Sequence, residues 1–425
     1  MKIYFPKSAI PAFLNYINTD TTDTTDTIDN ENNKLCKFTS STRWLFDHNA
    51  LINQITRWNE VLPWIKPYYA IKSNPSPKML ETLTTHNVGL DAASINETEI
   101  ALNYATPQNI IYTNPHTTPH EKDTMKNYLT ESVDIKVVDS MCELKKLLEY
   151  NIKPKKVLVR INSNIQLANV RFDSKFGATM EEAFEIVEYG LLHNMPMNGV
   201  SFLIGSGGNF SREDAYKKVI TSALPLLEYI KKSLCNSSNE KELPILDIGG
   251  GLLFDTNIKN ALMWTKDLPF IMISELGRYF SEPSYHLLIQ VTAKTKRGIF
   301  IDNGVYHELN VFHRDHWKFP SLTHYYEDGN IYPIENLIEN MNNNSGCDGN
   351  SNRSDGSDGS DGRVDYNSTE KITIFGPTCD SYDTLNECIL PKKIEVGDWF
   401  FLDNMGAYTS AGKVDFNGIY SASSY

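Results

Sequence analysis

Short apolar runs alternate with longer mixed segments between residues 65 and 275. Each run has the length of a buried strand and ends in a polar residue, and a stretch with helical character follows it. Eight such runs are present: Tyr68–Ile71, Val88–Leu90, Ile110–Tyr112, Ile135–Val138, Val157–Ile161, Val200–Ile204, Ile245–Ile248 and Phe270–Ile273. Eight strand–helix units over about 200 residues predict a (β/α)8 barrel, and an open doubly wound sheet is the alternative.

The segment after the fifth strand shows its helix most clearly. Thr179 and Glu182 have the spacing of a capping box, in which each side chain satisfies a backbone N–H of the other residue. Apolar residues then follow at helical spacing, namely Ala183, Ile186, Val187 and Leu191. The pattern therefore predicts a helix that begins just after Thr179.

The pattern changes after residue 281, where short aromatic or β-branched runs are separated by Gly, Asn and Pro. The predicted strands are Tyr285–Thr292, Gly298–Ile301, Ile372–Phe375 and Trp399–Leu402. We therefore divide the chain into a barrel over 46–280 and a β domain over 281–425 with an insert at 341–367. Residues 1–45 are expected to join the β domain.

Two tracts, 18–31 and 341–365, are polar, repetitive and almost free of large apolar side chains. They cannot bury enough surface to offset the entropy of ordering, so we predict that both are disordered. They carry ten acids and two arginines, and so account for eight of the thirteen net negative charges. The acidity is therefore weak evidence for a cationic substrate, but it argues against a nucleic-acid partner, which needs a basic face.

Six cysteines are scattered without a CxxC pair, which favours a reduced compartment over a disulfide framework. No apolar run approaches transmembrane length, so no membrane partner is expected. Pro6, Lys7 and Pro11 interrupt the N-terminal segment, which does not fit a signal peptide. The expectation is a cytoplasmic protein.

Polar and glycine-rich positions follow the predicted strands, at the end of a barrel where catalytic residues lie. They are Lys72, Asp91, Arg160, the turn Gly205–Gly207, Asp247 with Gly249–Gly251, Glu275 and Arg278. Consecutive glycines expose backbone N–H groups to a phosphate, and an arginine adds a bidentate contact. Singly, each position has a structural explanation as a surface lysine, a tight turn or an ion pair. Together they predict a site for a phosphorylated cofactor.

Pyridoxal phosphate (PLP) gives two of these residues definite roles. Lys72 would bind the cofactor covalently, which requires a partly desolvated amine. Glu275 would keep the pyridine nitrogen protonated, so that the ring withdraws electrons from the reacting carbon.

Motifs along the barrel region resemble those of eukaryotic-type ornithine decarboxylases, which are PLP enzymes with an alanine-racemase-like fold. They are PYYAIKSN at 67–74, LDAASINETEI at 90–100, VLVRIN at 157–162, GVSFLIGSGG at 199–208, LDIGGG at 246–251 and ELGRYF at 275–280. The resemblance implies Lys72 as the catalytic PLP lysine. It also implies these cofactor-binding residues: Asp91, Glu97, Arg160, Leu203, Ser206, Gly249, Gly250, Gly251, Glu275, Leu276, Gly277 and Arg278.

The second domain carries further motifs of the same family: GPTCDSYD at 376–383, DNMGAYT at 403–409 and NGVYHELN at 303–310, with RDH at 314–316. The resemblance implies Cys379 as the catalytic proton donor and Tyr408 as a phosphate ligand. It implies Arg314, Asp315 and Asp380 as substrate-binding residues. In this family the residues at 379 and 380, with a pair at 175 and 383, act across a head-to-tail homodimer interface, so each active site needs both chains.

The reaction implied by the resemblance is PLP-dependent decarboxylation of a basic amino acid, L-ornithine to putrescine, in polyamine biosynthesis. The alternatives are a decarboxylase for lysine or arginine and a non-catalytic binding protein similar to antizyme inhibitors. An antizyme-like regulator is a further candidate partner. Three positions depart from the family pattern. Leu203 replaces a His that stacks on the PLP ring, Leu276 replaces a Pro, and Arg314 stands where an aromatic residue is common.

Overall fold

The computed structural model describes residues 1–18, 43–118, 122–165, 175–206, 210–237, 242–315, 317–327, 329–333 and 369–419. The two tracts predicted to be disordered, apart from Asn18, lie outside these residues. The chain divides into two compact units. The barrel unit contains Asp47–Ser284 and Gly406–Ala411, and the sheet unit contains the described parts of Met1–Phe46, Tyr285–Met405 and Gly412–Ser424.

Eight parallel strands form the wall of the barrel unit. Before them the chain forms β1 (Ile3–Phe5), helix α1 (Ile10–Asn18) and β2 (Arg43–Phe46), which belong to the sheet unit. The barrel strands are β3 (Ile65–Ala70), β4 (Gly89–Ala92), β5 (Ile110–Tyr112), β6 (Ile135–Val138), β7 (Lys156–Arg160), β8 (Met197–Ser201), β9 (Ile245–Asp247) and β10 (Ile271–Leu276).

The barrel closes at β10, which pairs in parallel with β3 on one side and β9 on the other. Met272 lies opposite Ile65, and Ile271 lies opposite Ile245. The remaining strands follow each other around the ring in chain order. The closed ring confirms the predicted (β/α)8 barrel and excludes the open sheet.

Two strand ends lie three residues from the predicted ones, and four others differ by one or two residues. β8 ends at Ser201 rather than Ile204, because the chain leaves the ladder and turns at Gly205, whose φ is +84°. β10 continues to Leu276 rather than ending at Ile273, because the Glu275 N–H still bonds to the Gly249 carbonyl at 2.8 Å. Glu275 therefore lies inside a strand, where its direction is fixed by the sheet.

Nine helices of the barrel unit are described: α2 (His48–Val61), α3 (Pro77–Thr85), α4 (Ile95–Leu102), α5 (Lys122–Asn127), α6 (Met141–Glu149), α7 (Met180–Leu192), α8 (Arg212–Ser237), α9 (Ile258–Leu262) and α10 (Arg278–Ser281). The predicted capping box starts α7. The Glu182 N–H donates to Thr179 Oγ1 at 3.2 Å, and the Thr179 N–H donates to Glu182 Oε2 at 2.8 Å. None of the described helices is long and apolar enough to cross a membrane.

Apolar side chains fill the barrel interior: Tyr68, Ile111, Ile135, Val137, Leu158, Ile245 and Ile273. Because side chains alternate along a strand, Glu275 points to the same side of the wall as Ile273. Leu276, expected beside the cofactor, points to the opposite side and is fully buried there.

An ion pair is buried outside the barrel wall, between β6 and α6. Lys136 lies between the inward-facing Ile135 and Val137, and its side chain therefore faces the helices. Its Nζ lies 3.3 Å from Glu143 Oε1, and neither side chain is exposed. Burial lowers the pKa of Lys136 to about 8, although the charge of Glu143 opposes the change.

Glu143→Gln is expected to lower the free energy of unfolding by about 3–5 kcal/mol, because it leaves a buried ammonium without a counter-charge. The loss should shrink as the pH rises towards about 8 and stay small above it, since Lys136 is then neutral in the folded protein. Denaturant unfolding at several pH values measures both effects. Glu149→Gln, at an exposed position of the same helix, is the control and should be nearly neutral. Equal losses in the two variants would contradict the assignment.

A nine-stranded mixed sheet forms the sheet unit. Its other elements are β11 (Tyr285–Thr295), β12 (Gly298–Ile301), α11 (Val311–Arg314), β13 (His324–Glu327), β14 (Asn330–Pro333), β15 (Thr369–Phe375), β16 (Thr384–Pro391) and β17 (Trp399–Leu402). Along the sheet the order is β14, β13, β1, β17, β11, β12, β15 and β16, and β2 pairs with β11. The N-terminal strand thus lies inside the sheet, between β13 and β17.

Residues 406–411, expected in the second domain, cluster with the barrel unit. The Tyr408 N–H donates to the Ser73 carbonyl at 2.7 Å, and Asn74 Nδ2 donates to the Gly406 carbonyl at 3.0 Å. These bonds bring Tyr408 to the turn that contains Lys72.

Candidate active site

Charged side chains converge at the carboxyl ends of the barrel strands. Asp91 lies on β4, Arg160 ends β7, Asp247 ends β9 and Glu275 lies near the end of β10. Lys72 follows β3 in a 3-10 turn. This is the end of a (β/α)8 barrel at which active sites are built.

Lys72 carries the only side-chain amine of this group, and it pairs with Asp91. Its Nζ lies 3.1 Å from Asp91 Oδ2, and Asp91 Oδ1 accepts a bond of 2.6 Å from Thr113 Oγ1. Asp91 is fully buried, whereas 43 % of the Lys72 side chain is exposed. Burial alone would lower the pKa of Lys72, but Asp91, then Tyr408 and Glu275, outweigh it and raise the pKa. The amine is thus held by a carboxylate at the barrel mouth, on a side chain that is partly exposed.

Asp247 and Glu275 form a buried acid pair. Their side chains are joined by a hydrogen bond, which requires a proton on one of them. Burial, followed by the charges of Asp247 and Asp91, raises the pKa of Glu275 well above its usual value. Glu275 is therefore the protonated member of the pair.

Two further charged residues surround this group. Arg160 is buried with its guanidinium 5.0 Å above the Phe176 ring; burial lowers its pKa, and Glu275 is the strongest opposing charge. Glu97 lies in the first turn of α4, where its Oε2 accepts the Ala93 N–H at 2.7 Å. Burial raises the pKa of Glu97, and the Ala93 bond and the Lys72 charge oppose that rise.

Glycines bring three backbone segments close together at the same end of the barrel. A Cβ on Gly251 would lie 2.0 Å from the Gly205 carbonyl oxygen, and φ at Gly251 is +92°. A Cβ on Gly249 would lie 2.3 Å from the Phe202 carbonyl oxygen and 2.9 Å from the Leu203 side chain. A side chain at either position would push the segments apart, so the close backbone packing requires glycine.

Beside these glycines lie the remaining cofactor positions predicted from the sequence. A Cβ on Gly250 would meet the Glu275 carbonyl oxygen at 2.3 Å, and a Cβ on Gly277 would meet Tyr408 Oη at 3.1 Å. The Arg278 guanidinium lies 4.7 Å from the Tyr408 ring centre, and Ser206 is buried. Tyr408 has a left-handed φ of +62°, an uncommon conformation for a residue with a side chain. Gly207 lies outside the described residues.

A second set of predicted site residues lies in the loop 376–383 of the sheet unit. Cys379 is exposed, and its backbone N–H donates to Asn417 Oδ1 at 3.1 Å. Asp380 accepts from the Tyr306 hydroxyl and from the Tyr382 N–H, and these bonds lower its pKa. The same contact raises the pKa of Tyr306 to about 12. The loop therefore presents one thiol and one ionised carboxylate.

Asp383 fixes the conformation of that loop. Its carboxylate is buried and accepts the Val305 N–H at 2.9 Å and the Thr378 N–H at 3.0 Å. A Cβ on Gly304 or on Gly376 would lie 2.1 Å from its Oδ1. The motif at 376–383 did not reveal this role within one chain, because Gly304 and Val305 stand in a separate motif at 303–310.

Arg314 and Asp315 end α11 in the sheet unit. Arg314 Nε lies 3.7 Å from Asp315 Oδ1, and the two side chains are 42 % and 12 % exposed. A Cβ on Gly412 would lie 2.2 Å from Arg314 Nη1, so the guanidinium packs directly against that glycine. The arginine thus lies beside the carboxylate that the sequence assigns to the substrate.

Comparisons with known proteins identify this arrangement. Residues 48–290 match the family model described as the pyridoxal-binding domain of pyridoxal-dependent decarboxylases. The chain belongs to that family. Residues 202–406 match the model described as the family's C-terminal sheet domain. These matches confirm the prediction that the protein is a PLP-dependent amino-acid decarboxylase.

Curated relatives are similar over most of the chain. The ornithine decarboxylase of Candida albicans is 27 % identical, and that of Schizosaccharomyces pombe is 28 % identical; each alignment covers 88 % of this chain and 80 % of the relative. Among solved structures, the arginine decarboxylase of Paramecium bursaria Chlorella virus superposes with a TM-score of 0.72 at 24 % identity, covering 90 % of this chain and 95 % of that one. At that identity the structural likeness supports the fold alone.

The residues of the barrel mouth fit PLP. A partly exposed lysine side chain lies there, and the segments at 205 and 249–251 approach so closely that a Cβ would fill the space between them. Exposed backbone N–H groups of such turns, with an arginine nearby, suit a phosphate. A protonated acid, Glu275, is available for a pyridine nitrogen.

Proposed function

We propose that this protein decarboxylates L-ornithine to putrescine and carbon dioxide. The observation that carries the proposal is the set of curated relatives named ornithine decarboxylase, from fungi and from the plant Nicotiana glauca, each matched over 88 % of this chain at 27–29 % identity. The retained lysine, acids, glycines and cysteine support a catalytic protein over a non-catalytic binding protein.

In this proposal Lys72 holds PLP through its side-chain amine, and Asp91 accepts the proton that this amine must lose. Backbone N–H groups of Gly250 and Gly251 bind the phosphate, together with three side chains: Ser206, Arg278 and Tyr408. The Gly249 N–H donates to Asp247 and holds the turn in place. Glu97 and Leu203 flank the ring, and Leu203 contributes only apolar packing where the family has an imidazole. Glu275 holds a proton at the pyridine nitrogen, with Arg160 nearby as a compensating charge.

Once bound, PLP supplies the electron sink that allows the bond between the α-carbon and the carboxylate to break. The chain then has to supply one proton to the same carbon. Cys379 is assigned to that step, because its exposed thiol is a group that can donate a proton. Asp380 and Asp315 are assigned to the far ammonium of the substrate.

We further propose a homodimer with shared active sites, in which the Cys379 loop of one chain serves the barrel of its partner. The support is the family resemblance and the exposure of Cys379 and of Tyr382 in the loop. An exposed thiol can reach a substrate bound to another chain, whereas a buried one cannot.

Steady-state kinetics with L-ornithine, L-lysine and L-arginine test the proposed substrate. The PLP-loaded protein should release carbon dioxide from all substrates it accepts, with kcat/KM highest for ornithine and with putrescine formed in equal amount. A preference for lysine or arginine would move the assignment to that substrate. Absence of carbon dioxide release from all three, with PLP bound, would favour a binding protein.

Arg314→Gln is expected to lower KM for ornithine with little change in kcat. The guanidinium, 3.7 Å from Asp315, competes with the substrate ammonium for that carboxylate. Exposed ion pairs contribute about 0.2–1 kcal/mol, so KM should fall by up to about fivefold. Arg297→Gln removes the same charge from an exposed position of the sheet unit and is the control. An unchanged or higher KM in Arg314→Gln would show that Arg314 does not compete.

A further inference from the structure

Asp247 is a buried acid at the barrel mouth to which neither the motifs nor the proposed mechanism gives a task. It is fully buried at the end of β9, two residues before the glycine turn at 249–251. Glu275, to which it is hydrogen-bonded, is 7 % exposed. Burial of an acid costs free energy unless the acid is paired or hydrogen-bonded. The interactions of Asp247 therefore indicate its role.

The hydrogen bonds of the pair fix where its charge and its proton lie. Asp247 Oδ2 accepts from Ser201 Oγ at 3.0 Å, and Oδ1 accepts from the Gly249 N–H at 2.9 Å. Both donors stabilise a carboxylate at Asp247. Two acids in contact in a buried site do not both ionise unless a cation such as a protonated ring nitrogen contacts them, so in the cofactor-free protein Glu275 carries the proton and donates it to Asp247.

Gly249 ties the pair to the phosphate turn. Its N–H donates to Asp247, while its carbonyl accepts from the Glu275 N–H at 2.8 Å and from Ser274 Oγ at 2.7 Å. The charges that face the pair are those of Asp91, Lys72 and Arg160. The backbone of one residue therefore sets the spacing between both acids and the start of the glycine turn.

We propose that Asp247 is a positioning residue, which orients Glu275 and supplies a second buried negative charge that retains the proton of the cofactor's pyridine nitrogen. This inference rests on the proposed placement of Glu275 beside that nitrogen. The proton balance is simple: the proton moves from the Glu275 carboxyl to the nitrogen, and both acids are then carboxylates. Without Asp247, a single carboxylate would hold this proton.

The test is the 15N chemical shift of ring-labelled PLP in the holoenzyme, followed against pH. Asp247→Asn, which keeps the shape and removes the charge, should lower the midpoint of nitrogen protonation by about one to three pH units. Glu275→Gln is the reference and should lower it at least as far. Ser201→Ala removes a neutral donor to the same carboxylate and should change the midpoint much less.

The outcomes distinguish the placement of Glu275 at the pyridine nitrogen from the role of Asp247. If Glu275→Gln leaves the midpoint unchanged, the placement of Glu275 fails, and the inference fails with it. If Glu275→Gln lowers the midpoint but Asp247→Asn does not, the role of Asp247 alone is overturned.

A measurement on the wild-type protein covers the case in which Asp247→Asn does not fold. Infrared difference spectra between the cofactor-free and PLP-bound protein should show a carboxylic-acid C=O band that disappears on binding, because Glu275 gives up its proton. Absence of that band from the cofactor-free protein at neutral pH would overturn the inference.

Discussion

Two inactive variants, Lys72→Ala and Cys379→Ala, are expected to regain activity when they are mixed. Lys72 belongs to the barrel unit and Cys379 to the sheet unit, and in the proposed dimer each site takes these residues from different chains. After free subunit exchange, half of the dimers contain one chain of each kind, and one of the two sites in each is complete. We therefore expect about a quarter of the wild-type activity, while each variant alone stays near background.

The control for this experiment mixes two variants of the barrel unit, Lys72→Ala and Glu275→Gln. Each site contains one barrel, so no exchange can restore an intact one, and activity should stay near the background of the single variants. Failure of the first mixture to recover, with subunit exchange shown independently, would mean that each chain builds its own site. Equal recovery in both mixtures would contradict the assignment of Cys379 to a partner chain.

Gly251→Ala is expected to weaken PLP binding on the order of 100-fold or more. The left-handed backbone costs a residue with a Cβ about 1–2 kcal/mol. The contact of 2.0 Å with the Gly205 carbonyl oxygen adds about 1–3 kcal/mol of overpacking. Relief of that contact moves the 249–251 segment away from residue 205, which spreads the N–H groups that bind the phosphate. Equilibrium titration of the apoprotein with PLP measures the effect.

Gly397→Ala is the control that separates backbone strain from displacement of the phosphate-binding segment 249–251. Its φ of +93° matches the +92° of Gly251, but nothing lies within 4 Å of its Cβ. We expect it to cost about 1–2 kcal/mol of stability and to leave PLP affinity unchanged. Wild-type affinity in a folded Gly251→Ala protein would show that the cofactor lies elsewhere.

The barrel was predictable because its strands are buried on both sides. Such strands are continuous apolar runs, and all eight were found from that signal, although six end at other residues, β8 and β10 by the most. The ends could not be predicted because they depend on partners distant in sequence. One example is the bond from the Glu275 N–H to the Gly249 carbonyl, which extends β10 beyond its apolar part.

The sheet unit was harder to predict, since several of its strands have no apolar run. β13 reads HYYE and β14 reads NIYP, and β1 has three residues. β1 and β13 pair with each other across more than 300 residues, and Ile3 lies opposite both Tyr326 and Trp399, whereas β14 pairs with its chain neighbour β13. A single sequence contains no signal for such contacts.

The motifs predicted which residues form the site, but they did not predict the contacts between those residues. They located Lys72, Glu275 and the glycine turn, because each motif is a continuous stretch of sequence. They did not reveal the hydrogen bond between Asp247 and Glu275, or the hydrogen bonds by which Asp383 joins two loops. Those contacts join separate segments, and the fold alone brings them together.

The covalent position of the cofactor tests the central claim most directly. The PLP-loaded protein is reduced with borohydride and digested, and the labelled peptide is identified by mass spectrometry. We predict one label, on Lys72, in the peptide that contains PYYAIKSN. Label on Lys136, the buried lysine whose pKa is lowered to about 8, or on a surface lysine would contradict the assignment of the active site to the barrel mouth.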